Sequence, residues 1–206
     1  MKKNYSSIME DQIDLLVKEG LRPRLLIHVC CAPCSSSVIE VLEQYFSIGL
    51  YFYNPNIYPE EEHDRRFLEL QKFLTDAGHS EKIELFYEKY TPMEFAGCVH
   101  GLENEPERGR RCNSCYALRL SKTAQKAKEK GFEYFTTTLT VSPHKNADII
   151  NSIGEELSAV YEVKFLNSDF KKKNGFKRTV ELSCEYDLYR QDYCGCEFSM
   201  KSDRKE

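Results

Sequence analysis

The chain has 206 residues, enough to bury a core without disulfides or a structural metal, so one globular domain over residues 1–206 is expected. Hydrophobic residues make up 41% and charged residues 30%, which excludes a disordered or fibrous polypeptide. The formal net charge of −4 gives no global sign of a nucleic-acid binder.

Charge is unevenly spread. Residues 1–107 carry 10 basic and 19 acidic side chains, and the remainder carries 19 and 14. Residues 108–130 hold eight basic groups against one acidic, and residues 164–178 hold six against one. Each stretch reads either as a phosphate-binding face or as solvated surface. No apolar run approaches the ~20 residues of a membrane helix, and residues 1–5 lead into a polar amphipathic stretch without an apolar signal core. A reducing cytoplasm, with no membrane partner, is therefore the expected setting.

Five short apolar runs predict strands at residues 24–29, 50–53, 83–87, 134–138 and 161–165. The first, Leu25-Leu26-Ile27-His28-Val29, is almost continuously apolar, as a strand covered on both faces must be. Ser35-Ser36-Ser37 offers N-caps for a helix carrying Val38, Leu42 and Tyr45. Pro59 and Glu60-Glu61-Glu62 suit the start of a second helix, which Gly78 can end. A third is predicted over residues 112–130 and a fourth around Ile149, Ile150, Ile153 and Leu157. Residues 103–111 and 171–177 read as loops. Strand–helix alternation predicts an α/β fold, a parallel sheet flanked by helices, with ligands at the carboxyl ends of strands.

Nine cysteines are too many for an ordinary cytoplasmic chain, where reduced thiols more often serve as metal ligands or catalysts than as bridges. Cys30-Cys31-Ala32-Pro33-Cys34 follows the first strand and precedes a helix, whose N-terminus favours thiolate. Cys112 and Cys115, at i and i+3, share a face of a helix start. Soft sulfur donors from two segments suit zinc or an iron–sulfur cluster. Adjacent Cys30 and Cys31 are awkward for a closed zinc knuckle, and could serve two metals. Cys194-Gly195-Cys196 suits a labile, redox-active pair or a further metal contact. Cys98 and Cys184 stand alone and read as packed thiols.

Other polar signals are weaker. Asn54 and Asn56 follow the second strand at the same sheet end, where turn chemistry is the competing reading. The hydroxyl-rich run 136–142 ends in a basic tip at Lys145, suited to phosphate or ribose hydroxyls. His28, inside an apolar strand, reads as a satisfied core histidine.

Together these segments resemble the epoxyqueuosine reductases of the QueH type. The resemblance rests on Cys30-Cys31-Ala32-Pro33-Cys34-Ser35, Phe52-Tyr53-Asn54-Pro55-Asn56-Ile57 and Glu107-Arg108-Gly109-Arg110-Arg111-Cys112. It continues through Thr136-Thr137-Thr138-Leu139, Ser142-Pro143 and Tyr189-Arg190-Gln191-Asp192-Tyr193-Cys194-Gly195-Cys196, in order over nearly the whole chain. It implies a nucleotide α-hydrolase or ATP-pyrophosphatase (HUP-like) fold, and reduction of epoxyqueuosine to queuosine at the wobble position of tRNA. It also implies a [4Fe–4S] cluster beside a second, mononuclear metal ion, iron or zinc as isolated.

On this resemblance the expected metal ligands are Cys30, Cys31, Cys112 and Cys115, with Cys34 at the second ion. Cys194 and Cys196 are the expected catalytic pair; Asn54, Asn56, Lys145 and Arg190 are expected at the substrate. The partners would be tRNA carrying epoxyqueuosine and an unidentified electron donor. Two other readings remain open: an ATP-dependent tRNA thiolase on the same fold, and a non-enzymatic zinc module that binds RNA. The first would need a glycine-rich phosphate loop, and residues 29–37 contain no glycine.

Overall fold

A computed structural model describes residues 3–200. Five parallel strands form one sheet in the order β3-β2-β1-β4-β5. They are β1 (Arg24–His28), β2 (Ser47–Phe52), β3 (Glu84–Tyr87), β4 (Tyr134–Thr137) and β5 (Lys164–Phe165). Seven α-helices are seen among the described residues: α1 (Tyr5–Lys18), α2 (Ala32–Leu42), α3 (Glu60–Asp76), α4 (Pro92–Val99), α5 (Arg110–Glu129), α6 (Ala147–Tyr161) and α7 (Gly175–Glu185). None of these helices is long and apolar enough to cross a membrane.

β1 is the centre of the sheet, hydrogen-bonded to β2 on one side and β4 on the other. Its side chains alternate between two cores, as the period of a strand requires. Leu25, Ile27 and Val29 join residues of α1, α2 and α3 on one face. Leu26 joins residues of α5 and α6 on the other. Both faces are therefore covered, which explains the unbroken apolar run. The chain leaves β1 toward β2 in one direction and reaches β4 in the other, so the carboxyl end of β1 lies at the switch point of the sheet, where such folds bind ligands.

All five predicted strands form, with edges shifted by a few residues. Three helices were not expected. α1 arises from the amphipathic N-terminal stretch, burying Met9, Ile13 and Leu16. α4 follows Pro92, and α7 absorbs the end of the predicted 171–177 loop, with Asn174 in the left-handed region before it. The serine run does not cap α2. Cys31 is its N-cap, with extended backbone, and Pro33 occupies the first turn, where a missing N–H costs nothing. Ser35, Ser36 and Ser37 lie buried inside the helix; Ser35 Oγ donates back to the Cys31 carbonyl at 2.7 Å.

Two glycines report opposite packing. A Cβ at Gly154, inside α6, would lie 2.4 Å from the Phe165 ring. A Cβ at Gly97, inside α4, would meet nothing within 4 Å. Gly154→Ala is expected to destabilise by about 1–2 kcal/mol, because overpacking outweighs the gain in helix propensity. Gly97→Ala should stabilise by up to ~1 kcal/mol. Denaturant unfolding of the two variants checks both signs.

Candidate metal centre

The β1–α2 turn places three thiols together. The sulfur atoms of Cys30, Cys31 and Cys34 all lie within 4.8 Å of one another, and those of Cys30 and Cys31 are 3.9 Å apart. Cys30 and Cys31 are buried beside the first turn of α2. The Cys30 thiol is held well below its usual range: hydrogen bonds from Cys31 and Cys34 outweigh burial, and the charges of Arg119 and Lys145 add to them. The same bond, seen from its donor, pushes Cys31 up to about 12 and Cys34 well above its usual range. Before any metal binds, the trio is thus one thiolate cradled by two thiols.

Arg119 adds a fixed positive charge to that stabilisation. It is 2% exposed on α5. Its Nε donates to His28 Nε2 at 3.2 Å and its Nη2 to Asn54 Oδ1 at 2.7 Å. Guanidinium only donates, so His28 Nε2 must accept; the ring is neutral, its proton on Nδ1 directed to Thr137 Oγ1 at 2.9 Å. Burial first, and then the Arg119 charge, lower the His28 pKa to about 3. Asn54 completes the chain by donating to the Val29 carbonyl at 2.9 Å. The positive charge is left to face the thiols of Cys115, Cys30 and Cys194.

The second cysteine group stands on the first turns of α5. The Arg108 backbone N–H donates to Cys112 Sγ at 3.2 Å. Burial raises the Cys112 thiol and pushes Cys115 up to about 12. Cys115 packs in one apolar cluster with Cys196, Phe95 and Val99, and Cys98 lies against it. Cys98, read as a bystander, therefore borders the site, whereas Cys184 is exposed on α7. All nine cysteines are free thiols, including Cys194 and Cys196.

The C-terminal segment is clamped over these groups. Gly195 adopts φ 125°, and a Cβ there would approach Arg66 Nη1 at 3.1 Å. Its carbonyl accepts from the Tyr58 N–H at 2.8 Å. Arg66, buried on α3, donates from Nε to Glu62 at 2.7 Å. Gln191 Nε2 donates to Cys31 Sγ at 3.2 Å.

A cavity of about 360 Å³ lies between the groups, lined by Cys30, Cys34, Cys112 and Cys194. Lys145 and Arg190 line it too, the latter with Nη1 donating to Ser183 Oγ at 3.1 Å. Burial opposes the Lys145 ammonium, but the Cys194 and Cys30 thiols outweigh it and raise its pKa. Asn54 and Asn56 do not line this cavity; both are buried beneath the turn that follows β2.

The donor set fits a soft metal. It offers clustered sulfurs, whose charge the buried Arg66 and Arg119 and the half-buried Lys145 offset, and Gln191 Oε1 is a buried acceptor without a partner. The sequence reading missed Arg119, Arg66 and Gln191. Arg119 had a signal: it interrupts an otherwise apolar and small helix stripe of Cys115, Tyr116, Leu120, Thr123, Ala124 and Ala127. A charge at such a position must meet a buried partner.

The family model for the epoxyqueuosine reductase QueH matches residues 25–202. An epoxyqueuosine reductase QueH of Streptococcus pyogenes serotype M1 is 47% identical over 202 residues, covering 97% of this chain and 79% of the relative. One from Staphylococcus epidermidis is 43% identical, over 96% and 85% of the two chains. One from Thermotoga maritima is 36% identical, over 88% and 93%. The sequence resemblance and the cysteine-lined cavity thus agree, and the chain belongs to the epoxyqueuosine reductase QueH family.

Proposed function

We propose that this chain reduces the epoxide of epoxyqueuosine in tRNA to the alkene of queuosine. The observation that carries this reading is the gathering of cysteines from three distant segments around one cavity at the switch point, in a chain of that family. The reaction breaks both C–O bonds of the epoxide, consumes two electrons and two protons, and releases water. No side chain supplies low-potential electrons by itself.

Cys30, Cys31, Cys112 and Cys115 are our candidates to hold a [4Fe–4S] cluster, with Cys34 at a neighbouring ion. Bound there, such a group supplies electrons singly and polarises an oxygen atom. The protein's own part is positioning and charge. Lys145 Nζ, kept protonated by the surrounding thiols, faces the cavity as a cation for the oxygen that becomes negative. Arg190 lines the same cavity, held to Ser183. Asn54 acts through Arg119 and the Val29 carbonyl that it bonds, rather than from the cavity wall. Cys194 and Cys196 are our candidates for a redox-active pair, with the electrons supplied by an external donor. The reacting base must leave its stack to enter, as bases of single-stranded RNA loops do.

Mass spectrometry of tRNA nucleosides from a strain lacking this protein is expected to show the epoxide precursor in place of queuosine; normal queuosine would refute the assignment. Cys112→Ser is expected to lose the broad visible absorbance of the purified protein, most of its iron and its turnover, whereas Cys184→Ser keeps all three. Metal affinity should also depend on pH in a stated direction. Thiols raised to about 12 at Cys31 and Cys115 are protonated at neutrality, so binding displaces their protons. The apparent affinity of the metal-free protein for Zn²⁺, measured by chelator competition, should rise at least about tenfold from pH 6.5 to 7.5.

A further inference from the structure

The cysteine cavity is lined by more than sulfur. Phe176 and Arg190 line it together with the thiols. Phe176, on the first turn of α7, is 37% exposed, although Thr179 and Leu182 of the same helix are buried. Its position is fixed by its neighbour: a Cβ at Gly175 would lie 1.8 Å from the Phe170 carbonyl oxygen, so only glycine lets the chain turn there. The Arg190 guanidinium carbon lies 5.9 Å from the Phe176 ring centroid and is itself anchored to Ser183. Two flat, preordered surfaces thus meet at the edge of a polar cavity.

The surroundings are cationic. Just before α7, Lys171, Lys172 and Lys173 line a second cavity of about 640 Å³, and Lys145 lines both cavities. Lys171 and Lys173 pair with Asp169 and Glu10, but no carboxylate among the described residues pairs with Lys172 or Lys145. Asp148 and Asp169 also line this second cavity, where the lysines outnumber them, and Lys145 joins it to the cavity that Phe176 lines. Lysines beside an exposed aromatic ring are how proteins receive a single strand, the backbone following the charge and a base stacking on the ring.

We propose that Phe176, with Arg190 beside it, is the stacking platform for the base next to the reacting nucleotide. The inference rests on the reading of the substrate as tRNA. A base engaged with the thiols occupies the cavity of about 360 Å³, and its neighbour in the strand can reach Phe176, which lines the same cavity and is partly exposed.

The chain contains no tryptophan, so Phe176→Trp places a lone indole, excited apart from the tyrosines, at the platform. Titrating this variant with an unmodified tRNA anticodon stem-loop is expected to quench its emission. Phe176→Ala should weaken binding of the same RNA by about five- to a hundredfold, and Phe176→Tyr should restore most of it. Unchanged emission, equal quenching by heparin, or a Phe176→Ala variant that is folded by circular dichroism and binds as tightly as the parent would each overturn the platform. Should the parent protein still convert epoxyqueuosine in tRNA in those cases, the functional reading stands and only the platform falls. A parent that neither binds the stem-loop nor converts the modified tRNA overturns both.

Discussion

A guanidinium buried beneath a thiolate is the constraint on which this site depends. Arg119 cannot shed its proton, and its isolated charge in the interior costs several kcal/mol. Two neutral acceptors, His28 and Asn54, satisfy its hydrogen bonds but not its charge. The compensation comes from sulfur. Hydrogen bonds from Cys31 and Cys34 do most to favour the Cys30 thiolate and the Arg119 charge adds to them, while the Cys115 and Cys30 sulfurs in turn favour the Arg119 charge. Removing either partner strands the other in low dielectric, a change that typically costs about 3–5 kcal/mol.

This pair also links the layers of the fold. Arg119 comes from α5, His28 from β1, and Asn54 from the turn after β2. Helix, central strand and loop are tied at one point, directly under the cavity. The cysteines above inherit that rigidity, since Cys30 and Cys31 continue from β1 and Cys115 is one turn of α5 away from Arg119. Preorganisation of this kind lets ligands converge without the metal having to fold the chain.

The sheet was legible in the sequence because strands buried on both faces leave a continuous apolar signature, as in Leu25-Leu26-Ile27. The cysteine groups were legible because sulfur pairs at short spacing are rare. α7 was hidden by the lysines and asparagine before it, which read as loop, while its start depends on a close approach of Gly175 to a distant carbonyl. The three serines misled because a hydroxyl that caps a helix can equally bond the carbonyl four residues back, as Ser35 does. Asn54 was expected at the substrate from its place after β2; its engagement by Arg119 is a tertiary fact that no local pattern encodes. Cys98 likewise looked solitary, since its neighbours Cys115 and Cys196 are close only in space.

The clamp formed by Arg66, Tyr58 and Gly195 bears on when the centre can be assembled in a cell. Sulfurs near residue 30 wait for partners near residue 195, and the clamp forms only after the ribosome has delivered residue 195. The thiols of the β1–α2 turn are thereby covered long after they are made, and a polypeptide terminated before residue 195 leaves all three without that cover.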